Sequence, residues 1–556
     1  MLPAPAIRGI YRTDPRARAA YSEGAGIYRI LPRAVCLPAD LEDLRVAVSW
    51  AAEHRVPLVP RGAGSAMGGG NVGDGVIVDL TRMAERRLEI DAPKQRALTS
   101  AGVTLAELNT AAGRQGLRLP PDPSSGRWAT LGGMVSTNAA GARSVRYGSV
   151  RRWVEALTLV TTDGDTVTLR RQESPSATAA MAALARFERE AAPQIRAAAS
   201  LIAGRFPRTR KNSSGYALDA YLASGDVLDL IIGAEGTLGI VSEIEWRLDH
   251  IPPFRAGLRV HLASLDRLGD LVIALDRCEP SALELLDRTF LDLIGAGAWG
   301  GVSDGFVPEA ILLVELERSD PEALREVLAA ASETIQPWAT SIEMAYSPPQ
   351  AERLWAIRHA ASPILAGLPE DRRSLQVIED ACVPLERMGE YIRLVRRAAT
   401  ARDLPVVMFG HAGDGHIHVN LLPDVRRTGW MEAITGLLEE VTEAVIRLGG
   451  TPSGEHGDGR LRAGTLVKVY GSEVVDLFGL VKHSFDPLGI FNPGVILPSG
   501  ELPISRLKVG SKAVALPSDV ERGLREIERT GGYGRSRLDL AGEESHGSRV
   551  TSHDAP

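Results

Sequence analysis

Between two short apolar runs of strand length, Val56–Val59 and Val76–Leu80, the chain places Arg61 to Gly70, RGAGSAMGGG. This order of strand, glycine loop and strand restricts the fold more than any other stretch. The dinucleotide fingerprint of a Rossmann fold needs G-x-G-x-x-G opening a helix. Counting from Gly62 the sixth position is Met67, and Gly73, Asp74 and Gly75 follow without helical period. That fold is excluded. The loop still offers many unencumbered backbone N–H groups, which suits a phosphate or pyrophosphate approached closely by the chain. On this stretch alone, a plain flexible loop is an equal alternative.

Two further segments tilt the balance. Leu119 to Gly148, LPPDPSSGRWATLGGMVSTNAAGARSVRYG, is so poor in side-chain bulk that its backbone is expected to wrap another body closely. Ile232 to Ile240, IGAEGTLGI, precedes the strand-like Val241–Leu248. Three small-residue segments in one domain argue for a large, flat, phosphorylated cofactor.

At 556 residues the chain exceeds the ~250 to 300 residues at which a single core stops growing, so two or three domains are expected. The net charge of -7 argues against nucleic acid as a partner. The N-terminus lacks a continuous apolar signal region, and no run approaches the ~20 apolar residues of a membrane span, so the expectation is a soluble cytoplasmic protein. Cys36, Cys278 and Cys382 are too few and too scattered for a disulfide framework or a four-thiolate iron-sulfur site.

The periodicity predicts a helix over Pro38–His54 with Asp40 as its cap, and alanine-rich helix over Ser174–Phe206. From Phe254 the pattern alternates strands (Gly257–Ala263, Ala282–Leu286, Ile311–Glu317) with helices such as Asp320–Ile335. After Glu501 a short helix is expected at Ser518–Thr530. Gly531 to Pro556, polar and low in large apolar residues, is expected to be disordered.

With only 11 histidines in the chain, Phe409 to Asn420, FGHAGDGHIHVN, and Ser453 to Arg460, SGEHGDGR, concentrate His411, His416, His418, Glu455 and His456. Strands over Leu404–Gly410 and His416–Leu422, turned at Asp414-Gly415, would put His416, His418 and Asn420 on one face and His411 opposite His416. An amphipathic helix over Glu432–Leu448 then delivers the chain to SGEHGDGR. Two imidazoles and a carboxylate with an open position form a catalytic metal set. The alternative is a group of hydrogen-bonded interface histidines.

These segments, with KNSSGYALD at Lys211–Asp219, resemble the FAD-binding domain of the vanillyl-alcohol oxidase/p-cresol methylhydroxylase superfamily. More narrowly they resemble its branch of D-lactate dehydrogenases, glycolate oxidase D subunits and D-2-hydroxyglutarate dehydrogenases. The resemblance implies an α+β fold: a p-cresol methylhydroxylase-type FAD-binding domain of two α+β subdomains, with an α+β cap. Residues 1–30 would be an N-terminal extension, 31–253 the FAD domain, 254–450 the cap, 451–500 a segment returning to the flavin, and 501–556 a partly disordered tail. It implies FAD held by Arg61, Gly62, Ala63, Gly64, Ser65, Gly68 and Gly69 at the pyrophosphate. Pro121, Thr130, Gly132, Gly133, Ser136, Asn138, Gly141 and Gly148, then Glu235, Gly236, Gly239, Ile240 and Asn492, would line the rest of the cofactor. The first loop lacks the histidine that covalent relatives often carry, so the resemblance implies non-covalent FAD.

By the same resemblance His411, His418 and Glu455 bind a divalent metal, zinc or manganese, His456 is the base, and Arg358 grips the substrate carboxylate. Two departures stand out: His416 replaces the asparagine of GDGN, and Ile378 stands where relatives carry a lysine two residues before the aspartate matched by Asp380. The implied reaction oxidises a D-2-hydroxy acid to the 2-oxo acid. The metal polarises the hydroxyl, His456 takes its proton, and the C2 hydride passes to flavin N5. Electrons would leave to a quinone or acceptor protein, a separate iron-sulfur subunit included, which could hold the protein at a membrane surface. The alternatives are a flavin-free metallohydrolase and a non-catalytic FAD-binding subunit of a larger complex.

Overall fold

The computed structural model describes residues 3–84, 86–173, 182–299 and 307–542. Three sheets organise it. The first has four strands in the order Ile10–Arg12, Ala34–Leu37, Val76–Asp79 and Leu58–Arg61. The last three run parallel. Parallel neighbours need a crossover. Helix Leu41–His54 supplies one, its first turn held by the Asp40 carboxylate, which accepts from Asp43 N at 3.0 Å. The crossover between Leu58–Arg61 and Val76–Asp79 is the glycine loop itself, which runs back along the sheet without a helix.

The second sheet is antiparallel, ordered Leu88–Asp91, Arg96–Ser100, Ile240–Arg247, Val154–Val160 and Thr166–Arg170. Helix Leu131–Thr137 packs on it, opened by the Thr130 hydroxyl, which accepts from Gly133 N at 3.3 Å. The third sheet has six strands, all antiparallel: Ala339–Ala345, Phe254–Leu262, Ala310–Arg318, Ala282–Asp287, Val406–His411 and His416–Leu421. The histidine hairpin is its edge, and His411 pairs with His416 across the turn. Beyond helix Trp430–Arg447, residues 451–500 return to the first sheet, where Leu58 N donates to Ile490 O at 2.8 Å.

Two expectations are corrected. Residues 1–30 are no mere extension: Ile10–Arg12 is an edge strand of the first sheet, and helix Pro15–Ala20 packs beside it. Residues 531–542, expected to be disordered, are folded. Helix Ser518–Thr530 and the turn Leu538–Ala541 bury Val520, Leu524 and Ala541 in one cluster with Ala17, Tyr21 and Val35. The apolar residues there are sparse but fall on one face, which is enough when another element covers that face. Residues 174–181 of the predicted alanine-rich helix and 543–556 of the predicted disordered tail lie outside the described residues; from Ala182 to Arg205 the chain is helical with one π-helical stretch. Among the described residues no helix is long and apolar enough to cross a membrane.

Candidate active site

A cavity of about 520 Å³ lies between the first two sheets and the third. The glycine loop contributes Arg61, Gly62, Ala63, Gly64 and Ser65 to its wall. Thr130, Gly132, Gly133 and Ser136 line it from the second segment, and Glu235, Gly236, Gly239 and Ile240 from the third. Gly64 adopts φ +80, a left-handed value open to glycine, and its Cα sits against the Arg61 guanidinium. The Arg61 side chain turns inward, donating to the carbonyls of Glu23 at 2.8 Å and Asn71 at 3.2 Å.

The other residues expected at the cofactor stand off the wall. Gly68 is small for a different reason: its carbonyl accepts from Arg460 N at 2.9 Å, and a Cβ there would meet Asp458 O at 3.2 Å. At Gly69 the Tyr28 ring occupies the space of a side chain. Asn492 donates to the carbonyls of Gly70 at 2.8 Å and Glu235 at 2.9 Å, tying the returning segment to both loops. Pro121, Asn138, Gly141 and Gly148 shape turns behind the wall; Asn138 closes helix Leu131–Thr137 in a left-handed conformation. Spacing cannot separate a glycine that admits a ligand from one that admits a neighbouring chain.

At the other end of the cavity stand Arg358, His418, Asn420, Glu455 and His456. His411 lies just behind them, buried. Its Nδ1 faces the carboxylate of Glu284 in a short contact, so in the neutral ring Nδ1 carries the proton and Nε2 presents a lone pair. His418 Nδ1 donates to Glu379 O at 3.0 Å, again leaving Nε2 free. The two Nε2 atoms are 3.3 Å apart, and Glu455 Oε1 lies 3.1 Å from one and 3.5 Å from the other. Without a metal, a proton on His411 Nε2 bridges this group; a divalent cation would take that proton's place, with both Nε2 atoms and the carboxylate oxygen as donors. Burial holds His418 well below the ordinary imidazole value, with the neighbouring imidazoles adding to it, so it is a neutral donor. His411 is raised to about 9: burial opposes its charge, but Glu284 overrides it.

The surrounding charges tell the same way. Glu284, Glu379, Asp380, Asp414 and Glu455 are buried against the permanent cations Lys211, Arg358 and Arg462, and in the metal-free protein the imidazoliums of His411 and His456 make up the balance, charge that a divalent cation would supply in their place. The donor set fits a metal of the borderline class, with imidazole and carboxylate ligands.

His416 is explained by position. Its Nε2 lies 2.9 Å from Asp380 Oδ1 and its Nδ1 3.5 Å from Lys211 Nζ. It also brings a ring nitrogen within 4.8 Å of the donor atoms of His411, His418 and Glu455. With both nitrogens engaged, it links the lysine to the aspartate.

Glu284, Glu379 and Arg462 escape the sequence reading because nothing local distinguishes them, and the tasks of Lys211 and Asp380 are not legible there. Lys211 Nζ donates to Glu455 Oε2 at 2.8 Å, which aims Oε1 at the histidines. Asp380 accepts from Ser453 Oγ at 2.7 Å and His456 N at 2.9 Å, fixing the SGEHG loop. Glu379 accepts from His456 Nδ1 at 2.6 Å and pairs with Arg462. Burial opposes the imidazolium of His456, yet Glu379 and Asp380 raise it to about 10. Arg358 donates its Nε to Glu284 at 2.7 Å and lies over the Phe409 ring at 4.6 Å, leaving its terminal nitrogens toward the cavity. Ile378 is buried away from the wall; Ser374 and Gln376 occupy that stretch instead, donating to Asn420 Oδ1 at 3.0 and 3.2 Å.

Known proteins match the chain over most of its length. Residues 32–170 fit the model of the FAD binding domain and residues 251–496 that of the FAD linked oxidases' C-terminal domain. The first of these sets aside the flavin-free metallohydrolase. Glycolate oxidase subunit GlcD of Bacillus subtilis is 30% identical over 470 residues, 84% of this chain and 89% of its own. A D-lactate dehydrogenase of Archaeoglobus fulgidus is 30% identical over 478 residues (84% and 93%), and a D-2-hydroxyglutarate dehydrogenase of Xanthomonas citri pv. viticola 29% over 479 (85% and 90%). The solved structure of p-cresol methylhydroxylase with substrate bound superposes with a TM-score of 0.64 at 13% identity, covering 88% of this chain and 95% of that one, which establishes the p-cresol methylhydroxylase-type fold. The chain therefore belongs to the FAD-linked oxidase family, with glycolate oxidase subunit GlcD and D-lactate dehydrogenase among its relatives, and is an FAD-dependent oxidoreductase.

Proposed function

We propose that this protein oxidises a D-2-hydroxy acid to the 2-oxo acid, with non-covalent FAD in the glycine-lined part of the cavity and a divalent metal, zinc or manganese, on His411, His418 and Glu455. The observation that carries the reading is the convergence of two imidazole Nε2 atoms and a carboxylate oxygen at one end of a cavity whose other end is built from the three glycine segments. When bound, the flavin supplies a hydride acceptor and the metal a Lewis acid for the substrate hydroxyl.

The chain's own residues do the rest. The terminal nitrogens of Arg358 suit a planar carboxylate, while its Nε stays anchored on Glu284. Asn420, held by Ser374 and Gln376, offers its amide N–H groups to the same region. Glu379 and Asp380 favour the His456 imidazolium, and a divalent cation on Glu455, 3.8 Å from His456 Nε2, would oppose it; with the ring neutral, the Nδ1 bond to Glu379 fixes the tautomer that leaves Nε2 as the proton-accepting atom. Without the lysine that Ile378 replaces, the far end of the substrate meets Ser374 and Gln376, neutral groups that suit a neutral or hydroxylated tail over a second carboxylate. The electron acceptor is a quinone or a partner protein, an iron-sulfur subunit among them.

Anaerobic bleaching of the bound flavin across a panel of D- and L-2-hydroxy acids, with and without chelator, tests this. A D-selective, chelator-sensitive rate is expected, and His456→Ala should slow it by about 10²-fold or more. No bleaching by any member of the panel would refute the substrate class, and an unchanged rate after chelation would refute the metal. If the protein were a non-catalytic subunit, His456→Ala would leave the activity of its complex intact.

A further inference from the structure

The C-terminal segment lies beyond both matched family domains, which end at residues 170 and 496. Yet Glu528, Arg529, Thr530, Gly531 and Tyr533 stand in the cavity wall. Gly531, at φ +64, lies against Trp128 of the second small-residue segment, and the Tyr533 and Trp128 rings are 6.1 Å apart. Glu528 ties this segment to the third-sheet half of the molecule through a short contact with Arg373; its other partners, Arg525 at 2.5 Å and Lys508 at 3.1 Å, lie within the C-terminal segment itself.

Behind Tyr533 sits Arg537, 5% exposed, its guanidinium 5.4 Å from the Tyr533 ring centre. Its Nε and Nη1 are buried without any hydrogen-bond partner. Arg61, at the start of the glycine loop, is the neighbouring buried cation and bonds only to backbone carbonyls. Among the described residues neither guanidinium has a carboxylate oxygen within 4 Å. Burial pushes Arg537 down to about 10, with the charge of Arg61 adding to it. The charges of Asp79 and Glu23 reach Arg61, and that of Glu23 reaches Arg537, only from beyond contact distance; two buried cations with no carboxylate in contact are unfavourable in an isolated protein and mark where an anion belongs. They flank a loop rich in free N–H groups and a cavity large enough for a nucleotide.

We propose that Arg537, with Arg61, supplies the counter-charge for the diphosphate of the bound dinucleotide, so that the C-terminal segment is part of the cofactor site. The inference rests on the FAD reading for the identity of the ligand. The charge acts across a low-dielectric wall one side chain thick, where it is weakly screened, so Arg537 need not touch the phosphates to raise affinity.

The test compares the full chain with Arg537→Met, which keeps the apolar stem without the charge, Arg537→Lys, which keeps the charge, and Arg535→Gln, an exposed neighbour. FAD affinity is read by quenching of flavin fluorescence and by the FAD-induced rise in Tm. Arg537→Met should weaken FAD by about 10-fold or more while leaving the apo Tm equal or higher; the other two should stay near wild type. An Arg537→Met protein that binds FAD as wild type overturns the inference, as does one whose apo Tm falls with FAD affinity unchanged, since that marks a structural cation. Should Arg537→Met not fold, Arg537→Gln carries the same comparison. If wild type takes up no FAD at all, the functional reading fails first. Titration with inorganic pyrophosphate then decides this site alone: a Tm rise in wild type that is lost in the variant supports it, and equal behaviour refutes it.

Discussion

Lys211 has a task that its motif does not announce. Its ammonium is enclosed by Glu455 Oε2 at 2.8 Å, Asp414 Oδ2 at 3.5 Å and His416 Nδ1 at 3.5 Å; burial opposes its charge, but the two carboxylates, Glu455 foremost, raise its pKa. Removing one partner of a buried pair costs far more than the pair itself contributes, because a bare charge is left behind. Lys211→Met should therefore lower the stability of the metal-free protein by about 3 kcal/mol in urea denaturation. Added divalent metal should restore more stability to the variant than it gives wild type, since a metal bound to Glu455 supplies the missing positive charge. Equal gains would mean that Glu455 is not a ligand.

At the scale of single elements the C-terminal helix Ser518–Thr530 is the clearest case. Val520, Leu524 and Ile527 are buried, and Arg525 and Glu528 take part in buried ion pairs. Truncating a buried leucine removes transfer energy and leaves a cavity, so Leu524→Ala should cost about 2 to 4 kcal/mol. The helix joins the rest of the fold through one apolar cluster and a few ion pairs, so the loss should appear first as local opening. Limited trypsin digestion should release a C-terminal fragment cut within 508–537 while the three sheets persist. Loss of all protease resistance at once would show that the segment is not a separate unit.

Legibility at this scale was uneven. The helix Leu41–His54 with its Asp40 cap, the strand-loop-strand around the glycines and the histidine hairpin were readable because each carries its own period and its own terminator. The edge strand Ile10–Arg12 was not, since three residues hold no period, and the folding of residues 531–542 was not, since their composition is that of a solvated chain.

For the molecule as a whole, the carboxyl groups buried beside the cavity set a pH dependence. Glu235 accepts from Asp458 N at 2.7 Å and Gly459 N at 3.0 Å, yet burial and the nearby Asp458 raise it to about 8. Asp458 is raised to about 6, also by burial. A carboxyl whose folded pKa exceeds its unfolded value favours the fold while protonated, and that contribution fades as pH climbs from the unfolded value through the folded one. The apo protein should lose stability from about pH 4.5 to 8 on account of Glu235, and above pH 6 Asp458 no longer contributes to the slope. Urea titrations of the apo protein between pH 6 and 8.5 should show this slope in wild type and a flatter one in Glu235→Gln. An identical slope would mean that Glu235 is ionised throughout.

What the amino-acid order determined by itself was local: where glycine replaces side chains, where imidazoles alternate along a strand, which helix delivers Glu455 and His456. From those, the family and the pairing of a cofactor bed with a histidine-carboxylate cluster could be read before any coordinates. Only the tertiary structure separated Gly64, on the cavity wall, from Gly68, pressed against Asp458, because the two look alike in a loop and differ in what lies opposite. Only it brought Lys211, Glu284, Glu379 and Asp380 to the histidines and Arg537 to Arg61. A charge acts through space at a range that chain distance does not record, and 476 positions separate those two arginines in sequence.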